Sequence, residues 1–61
     1  METFAEKLKS ARVAAGMTQQ AMSDRMEIPK RTIEDWENGR RTPPEYVQRL
    51  VLNELINKKE F

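Results

Sequence analysis

The sequence predicts an all-α domain, a small bundle of four to five helices. Helix-favouring alanine, leucine and four methionines dominate, against only two glycines. β-Branched residues are scattered and never alternate over the length of a strand. Start and stop residues recur at spacings that divide the chain into short helices joined by short turns. With 61 residues and no repeat, low-complexity tract or linker, the chain reads as a single domain over residues 1–61.

Thr3-Phe-Ala-Glu6 has the form of a capping box, in which the threonine hydroxyl and the glutamate carboxylate each satisfy an N–H at a helix start. A first helix then runs to about Ala15. Phe4, Leu8, Ala11 and Ala15 form one apolar stripe with Arg12 at its edge, and Gly16 supplies a left-handed stop. Thr18 is the next cap. The second helix, Gln19 to Met26, carries Ala21, Met22 and Met26 on one side and is too short to stand alone. Glu27-Ile28-Pro29 breaks it, because a residue before proline is pushed out of the α region while proline itself can open the following helix.

The third helix spans Pro29 or Lys30 to Asn38 and is closed by Asn38-Gly39. At about 100° per residue, Ile33, Trp36 and Glu37 gather on one side and Arg31, Glu34, Asp35 and Asn38 on the other. Trp36 is thus the expected anchor, leaving the opposite face free. Thr42-Pro43-Pro44-Glu45 repeats the capping signature, predicting a long C-terminal helix from about 43 to 58. On it Tyr46, Val47, Leu50 and Val51 form the stripe expected to face the core. Leu52, Leu55 and Ile56 form a second strip that requires a partner, either a second copy of the chain or the first helix of the same one.

Composition narrows the function. Without cysteine or histidine there are no disulfides, no Cys/His zinc site and no histidine acid–base chemistry. Ser10 and Ser23 lack a nearby base, and there is no glycine-rich phosphate loop, so an enzyme is not expected, nor a cofactor, metal or small-molecule ligand. Apolar runs such as Leu50-Val51-Leu52 fall far short of the roughly 18 residues of a membrane span, and no signal-peptide core is present. A soluble cytoplasmic protein with no membrane partner is expected.

A net charge of only +1 means that any affinity for nucleic acid must come from local arrangement. Lys30 and Arg31 open the third helix and Arg40 and Arg41 follow its end, bracketing an element short enough for a DNA major groove. The plainer alternative makes Lys30/Glu34 and Arg31/Asp35 solvated i, i+4 pairs worth about 0.2–0.5 kcal/mol each.

Arg12, Gly16-Met17-Thr18-Gln19, Met26 with Ile28, Thr32-Ile33, Trp36-Glu37-Asn38-Gly39 and Pro43 together resemble the helix-turn-helix of the lambda-repressor and Cro family, over roughly Phe4 to Leu50. The resemblance implies about five helices, the second crossing the DNA backbone and the third entering the major groove of double-stranded DNA. It implies that Gln19 contacts phosphate from the start of the second helix, unless it is a plain surface residue near the cap. Lys30, Arg31 and Asp35 fall where the family's base-contacting side chains project, and Arg40 and Arg41 where the following loop meets the backbone. Arg12 and Glu37 match a pair that often forms a structural salt bridge.

Three departures stand out. Glu27 occupies a position where the family commonly has glycine, so the turn is either strained or of a different geometry. Pro29 replaces the usual hydroxyl cap of the third helix. One continuous helical pattern stands where the family usually has two shorter helices. The expected function is a sequence-specific, repressor-like regulator of transcription, acting as a homodimer through Leu52, Leu55 and Ile56. The alternative is a protein-interaction module on the same scaffold, an antitoxin or anti-regulator using that apolar strip.

Overall fold

The computed structural model describes residues 2–56, which form four helices in the order α1 (Phe4–Ala14), α2 (Gln19–Met26), α3 (Lys30–Glu37) and α4 (Glu45–Ile56). There is no strand among the described residues. The expected end of the last helix at 58 lies outside them.

Each of the first two helices starts on a threonine. Thr3 Oγ1 accepts from the Glu6 N–H (3.2 Å) while the Thr3 N–H donates to Glu6 Oε1 (3.1 Å), completing the capping box. Thr18 Oγ1 accepts from the Ala21 N–H at 3.0 Å.

The first three helices end on the same device, a left-handed residue that returns the next N–H to the last turn. Gly16 (φ 75°) and Gly39 (φ 77°) serve α1 and α3. Their successors Met17 and Arg40 donate backbone N–H to Arg12 (3.1 Å) and Asp35 (2.9 Å), six residues to one. At the end of α2 the same place is taken by Glu27, with φ 56° and ψ 42°. The turn is therefore not of a different geometry: it keeps the left-handed conformation and places a side chain in it, at a cost of about 1–2 kcal/mol relative to a right-handed residue. Ser23 holds it from both sides, its carbonyl accepting from the Ile28 N–H (3.2 Å) and its hydroxyl donating to the Ile28 carbonyl (2.6 Å).

The fourth helix begins two residues later than its sequence suggests. Thr42 and Glu45 form no reciprocal cap. Instead the Pro44 carbonyl accepts from Val47 (2.9 Å) and Gln48 (3.0 Å), and the Gln48 side chain donates to the Pro43 carbonyl at 2.9 Å. The cause is Pro44, which disfavours the α conformation at the residue before it and so keeps Pro43 out of the helix.

Helix α1 packs against both α3 and α4, and α2 packs on α3. The core is built from one or two residues of each helix: Leu8, Met22, Ile33, Val51 and Leu55. On α3 the fully buried residue is Ile33. Trp36 is half-buried, edge-on to Phe4 with ring centroids 6.0 Å apart, so it shares the anchoring that the helical wheel assigned to it first.

The expected division of α4 into core and outer stripes is corrected. Val47, Val51 and Leu55 face the core with Leu52 beside them, while Tyr46, Leu50 and Ile56 are 63%, 64% and 68% exposed. The sequence carries a discriminating feature: the series 47, 51, 55 stays apolar, whereas 46, 50, 54 ends in Glu54. Leu55 is 2% exposed and belongs to the chain's own core, so the strip Leu52, Leu55, Ile56 is not a free surface. Only Ile56 of the three projects outward; Leu52 is half-buried.

Candidate nucleic-acid interface

A surface of basic side chains surrounds α3. Lys30 and Arg31 occupy its first two positions and both are exposed. Pro29 before them has no capping oxygen; its carbonyl accepts from Thr32 (2.9 Å) and Ile33 (3.3 Å). The backbone N–H groups of Lys30 and Arg31 therefore have no protein partner among the described residues, and point outward at the positive end of the helix dipole. The i, i+4 pairs Lys30/Glu34 and Arg31/Asp35 do not form ion pairs among the described residues.

Asp35 turns toward the other end. Its Oδ2 lies 3.8 Å from Arg41 Nε, and its carbonyl accepts from the backbone N–H of both Arg40 (2.9 Å) and Arg41 (3.4 Å). The Asp35 side chain is 18% exposed beneath an Arg41 that is 78% exposed. A single long contact to so exposed an arginine contributes little to stability. It does hold the loop's charge close to the end of α3. Arg40 is exposed beside it.

Beneath this surface lies a part-buried polar cluster. Arg12 of α1 meets Glu37, the last residue of α3, through Nε to Oε2 (2.7 Å) and Nη2 to Oε1 (3.1 Å). Arg12 Nη1 donates to the Met17 carbonyl at 2.8 Å, fixing the α1–α2 connection to the same group. The two side chains are 11% and 4% exposed. The hydrogen bond to Glu37 raises the Arg12 pKa above the ordinary arginine value; burial opposes this, and the attraction of the Glu37 charge adds to it.

Gln19 joins the same carboxylate, its Nε2 donating to Glu37 Oε1 at 3.1 Å. This bond lies outside anything the local sequence indicates. It ties the start of α2 to the end of α3, next to the loop that carries Arg40 and Arg41. Gln19 is half-buried and oriented by Glu37, with one of its two amide N–H groups committed to that bond. The role of Ser23 in clamping the turn was equally hidden, although serine four residues before a turn is a known competitor for backbone groups.

Lys30, Arg31, Arg40 and Arg41 are thus brought around one eight-residue helix. Gln19 and Asp35 are drawn into hydrogen bonds or ion pairs at its C-terminal end, where Glu37 of the helix pairs with Arg12 of α1, and Trp36 packs edge-on to Phe4. Leu52, Leu55 and Ile56 belong to α4. No cluster of potential metal ligands occurs among the described residues, and no helix there is long and apolar enough to cross a membrane.

Comparison with known proteins gives one family. A model described as helix-turn-helix matches residues 8–51, more than half of the chain. No match is found among the curated proteins or among the solved structures. The matched segment runs from the core residue Leu8 of α1 through the α2–turn–α3 unit to the core residue Val51 of α4. The chain belongs to the helix-turn-helix family of the lambda-repressor and Cro type, a family of DNA-binding regulators.

Proposed function

We propose that the protein is a sequence-specific regulator of transcription that inserts α3 into the major groove of double-stranded DNA and works as a homodimer. The observation that carries this reading is the exposed pair Lys30 and Arg31, free of carboxylate partners, on the open N-terminus of an eight-residue helix. In this reading Arg31 donates two hydrogen bonds to a guanine and Lys30 reaches a neighbouring base. Arg40 and Arg41 contact phosphates from the exit loop, and Gln19 offers its second amide N–H to a phosphate at the start of α2. When Arg41 exchanges the Asp35 carboxylate for a phosphate, Asp35 is released to accept from cytosine or to orient Arg31.

A two-fold dimer presents two such helices about 34 Å apart and reads a palindromic site. The test separates base reading from phosphate contact. Arg31→Ala is expected to cost about 1–3 kcal/mol and to relax preference at one base pair. Arg41→Ala is expected to weaken all sequences alike and to flatten the salt dependence by about one unit. Equal weakening of cognate and random DNA by Arg31→Ala overturns the base-reading role.

A further inference from the structure

The end of α3 carries a reactive pair that the DNA reading leaves unused. Of the asparagines Asn38, Asn53 and Asn57, Asn38 alone precedes a glycine, so no side chain shields the following backbone nitrogen from the asparagine amide. Both residues are exposed, and open space lies where a Cβ of Gly39 would stand. The Asn38 amide makes no side-chain hydrogen bond among the described residues. Arg40 and Arg41 follow at once, and their positive charges favour loss of the Gly39 N–H proton. The backbone opposes the reaction. Asn38 has ψ −2°, which sets the Gly39 nitrogen beside the Asn38 nitrogen, about a third of a turn around Cα–C from where it could meet Cγ. The Gly39 N–H is also engaged, donating to the Trp36 carbonyl at 3.3 Å, and the Arg40 N–H closes the cap on the Asp35 carbonyl at 2.9 Å.

We propose that Asn38-Gly39 is a site of spontaneous modification, gated by opening of the α3 C-terminal cap, that changes the charge of the surface around it. Once the cap opens, the Gly39 nitrogen attacks Asn38 Cγ; the N–Cγ bond forms, the Cγ–Nδ2 bond breaks, and ammonia leaves with the proton from Gly39. A five-membered succinimide remains. Water then adds to one of its two carbonyls: opening at Cγ gives aspartate, and opening at the main-chain carbonyl gives isoaspartate. Water is the only co-reactant. Either product places a carboxylate at position 38, which shares the outer line of α3 with Arg31 and lies next to Arg40 and Arg41. Isoaspartate also adds a carbon to the main chain, so the Arg40 N–H no longer returns to Asp35 in the pattern that ends the helix. The consequence for DNA rests on the proposed function: a carboxylate there repels phosphate, and a displaced Arg40 and Arg41 lose their contacts. The modification itself does not rest on it.

The test follows the full chain at physiological temperature and pH, with peptide mapping by mass spectrometry to locate each product and to separate aspartate from isoaspartate. Asn38 is expected to convert, and Asn53, which precedes a glutamate within α4, to persist. In unfolding guanidinium the same site is expected to convert about 10- to 100-fold faster, because the backbone hydrogen bonds of the cap no longer have to open first. Asn38→Gln keeps a neutral amide, can close only the slower six-membered ring, and should yield no product over the same period. Binding to a random-sequence duplex at low salt is then compared for fresh chain, converted chain and Asn38→Asp. The converted chain is expected to bind at least about 10-fold more weakly than the fresh one, and more weakly than Asn38→Asp, which carries the charge without the extra carbon. Native and unfolded chains that convert at one rate overturn the gate. A chain that keeps Asn38 intact in guanidinium overturns the site, and a converted chain that binds as the fresh one does overturns its effect on the surface. A fresh chain that binds no duplex while Asn38 converts counts against the DNA reading alone.

Discussion

Removing the Glu37 carboxylate is expected to bring this domain to the edge of unfolding. Glu37 accepts two hydrogen bonds from Arg12 and one from Gln19, with its side chain 4% exposed. In Glu37→Ala, Arg12 keeps only the Met17 carbonyl at 2.8 Å and remains a largely buried, uncompensated charge. Breaking one partner of such a pair costs about 3–5 kcal/mol. At about 0.05–0.15 kcal/mol per residue, a chain of 61 residues has roughly 3–9 kcal/mol in total. The loss is therefore comparable with the whole stability.

Replacing both partners by methionine leaves no orphaned charge, and the double variant is expected to regain most of the loss. Arg12→Lys is not conservative here, since an ammonium cannot reproduce the paired contact to Glu37 together with the bond to Met17. The raised Arg12 pKa means that the arginine's contribution is fully present below the ordinary arginine value and is lost only as pH rises through the raised one. Melts between pH 6 and 9 are thus unaffected from that side. Urea unfolding followed by circular dichroism measures the parent, Glu37→Ala, Arg12→Lys, the double methionine variant and its two single methionine variants. A Glu37→Ala variant within about 1 kcal/mol of the parent, or a double variant as unstable as the sum of the singles, refutes the reasoning.

Two further stability predictions follow from the turns and the core. Glu27→Gly relieves a left-handed side chain of about 1–2 kcal/mol against a glycine entropy cost of about 0.5–1 kcal/mol. The variant should be more stable by several tenths to about 1 kcal/mol, read from the urea midpoint; a destabilised variant contradicts the strain assigned to φ 56°. Ile33→Ala, at 0% exposure, is expected to cost about 2–5 kcal/mol. Trp36→Ala should fall below the roughly 3–5 kcal/mol of a fully buried tryptophan, because the ring is only half-buried. Thermal melts that place the Trp36 variant well below the Ile33 variant would return the main anchoring role to the tryptophan.

The starts of α1 and α2 and the ends of α1 and α3 were legible because each is a local chemical fact. A threonine three residues before an N–H, or a glycine where the chain must turn left-handed, acts within one turn whatever surrounds it. Glu27 was ambiguous for the same reason. Its local preference opposes the left-handed turn, and the Ser23–Ile28 bonds that hold the turn depend on how the helices meet.

The orientation of α4 was harder. A stripe containing Tyr46, Val47, Leu50 and Val51 has two edges, and the packing of α1 decides which faces inward; only the continuation to Leu55 rather than Glu54 records the outcome in the sequence. In the candidate interface, the placement of Lys30, Arg31, Arg40 and Arg41 at the two ends of α3 followed from their numbers alone. Their pairing did not. Asp35 approaches Arg41 across the helix end instead of Arg31 along it, and Gln19 reaches a carboxylate 18 residues away. Both depend on contacts between elements that no wheel contains.

Selection of bound fragments from a random double-stranded DNA library tests the proposed function most directly. A surface that reads bases through Arg31 and Lys30 should enrich one recurring motif, and a two-fold dimer should make that motif palindromic with half-sites one helical turn apart. Enrichment should vanish with Arg31→Ala at one position of each half-site and persist at the others. A natively folded protein that enriches no motif, while binding all fragments with the same salt dependence, contradicts sequence-specific recognition by α3.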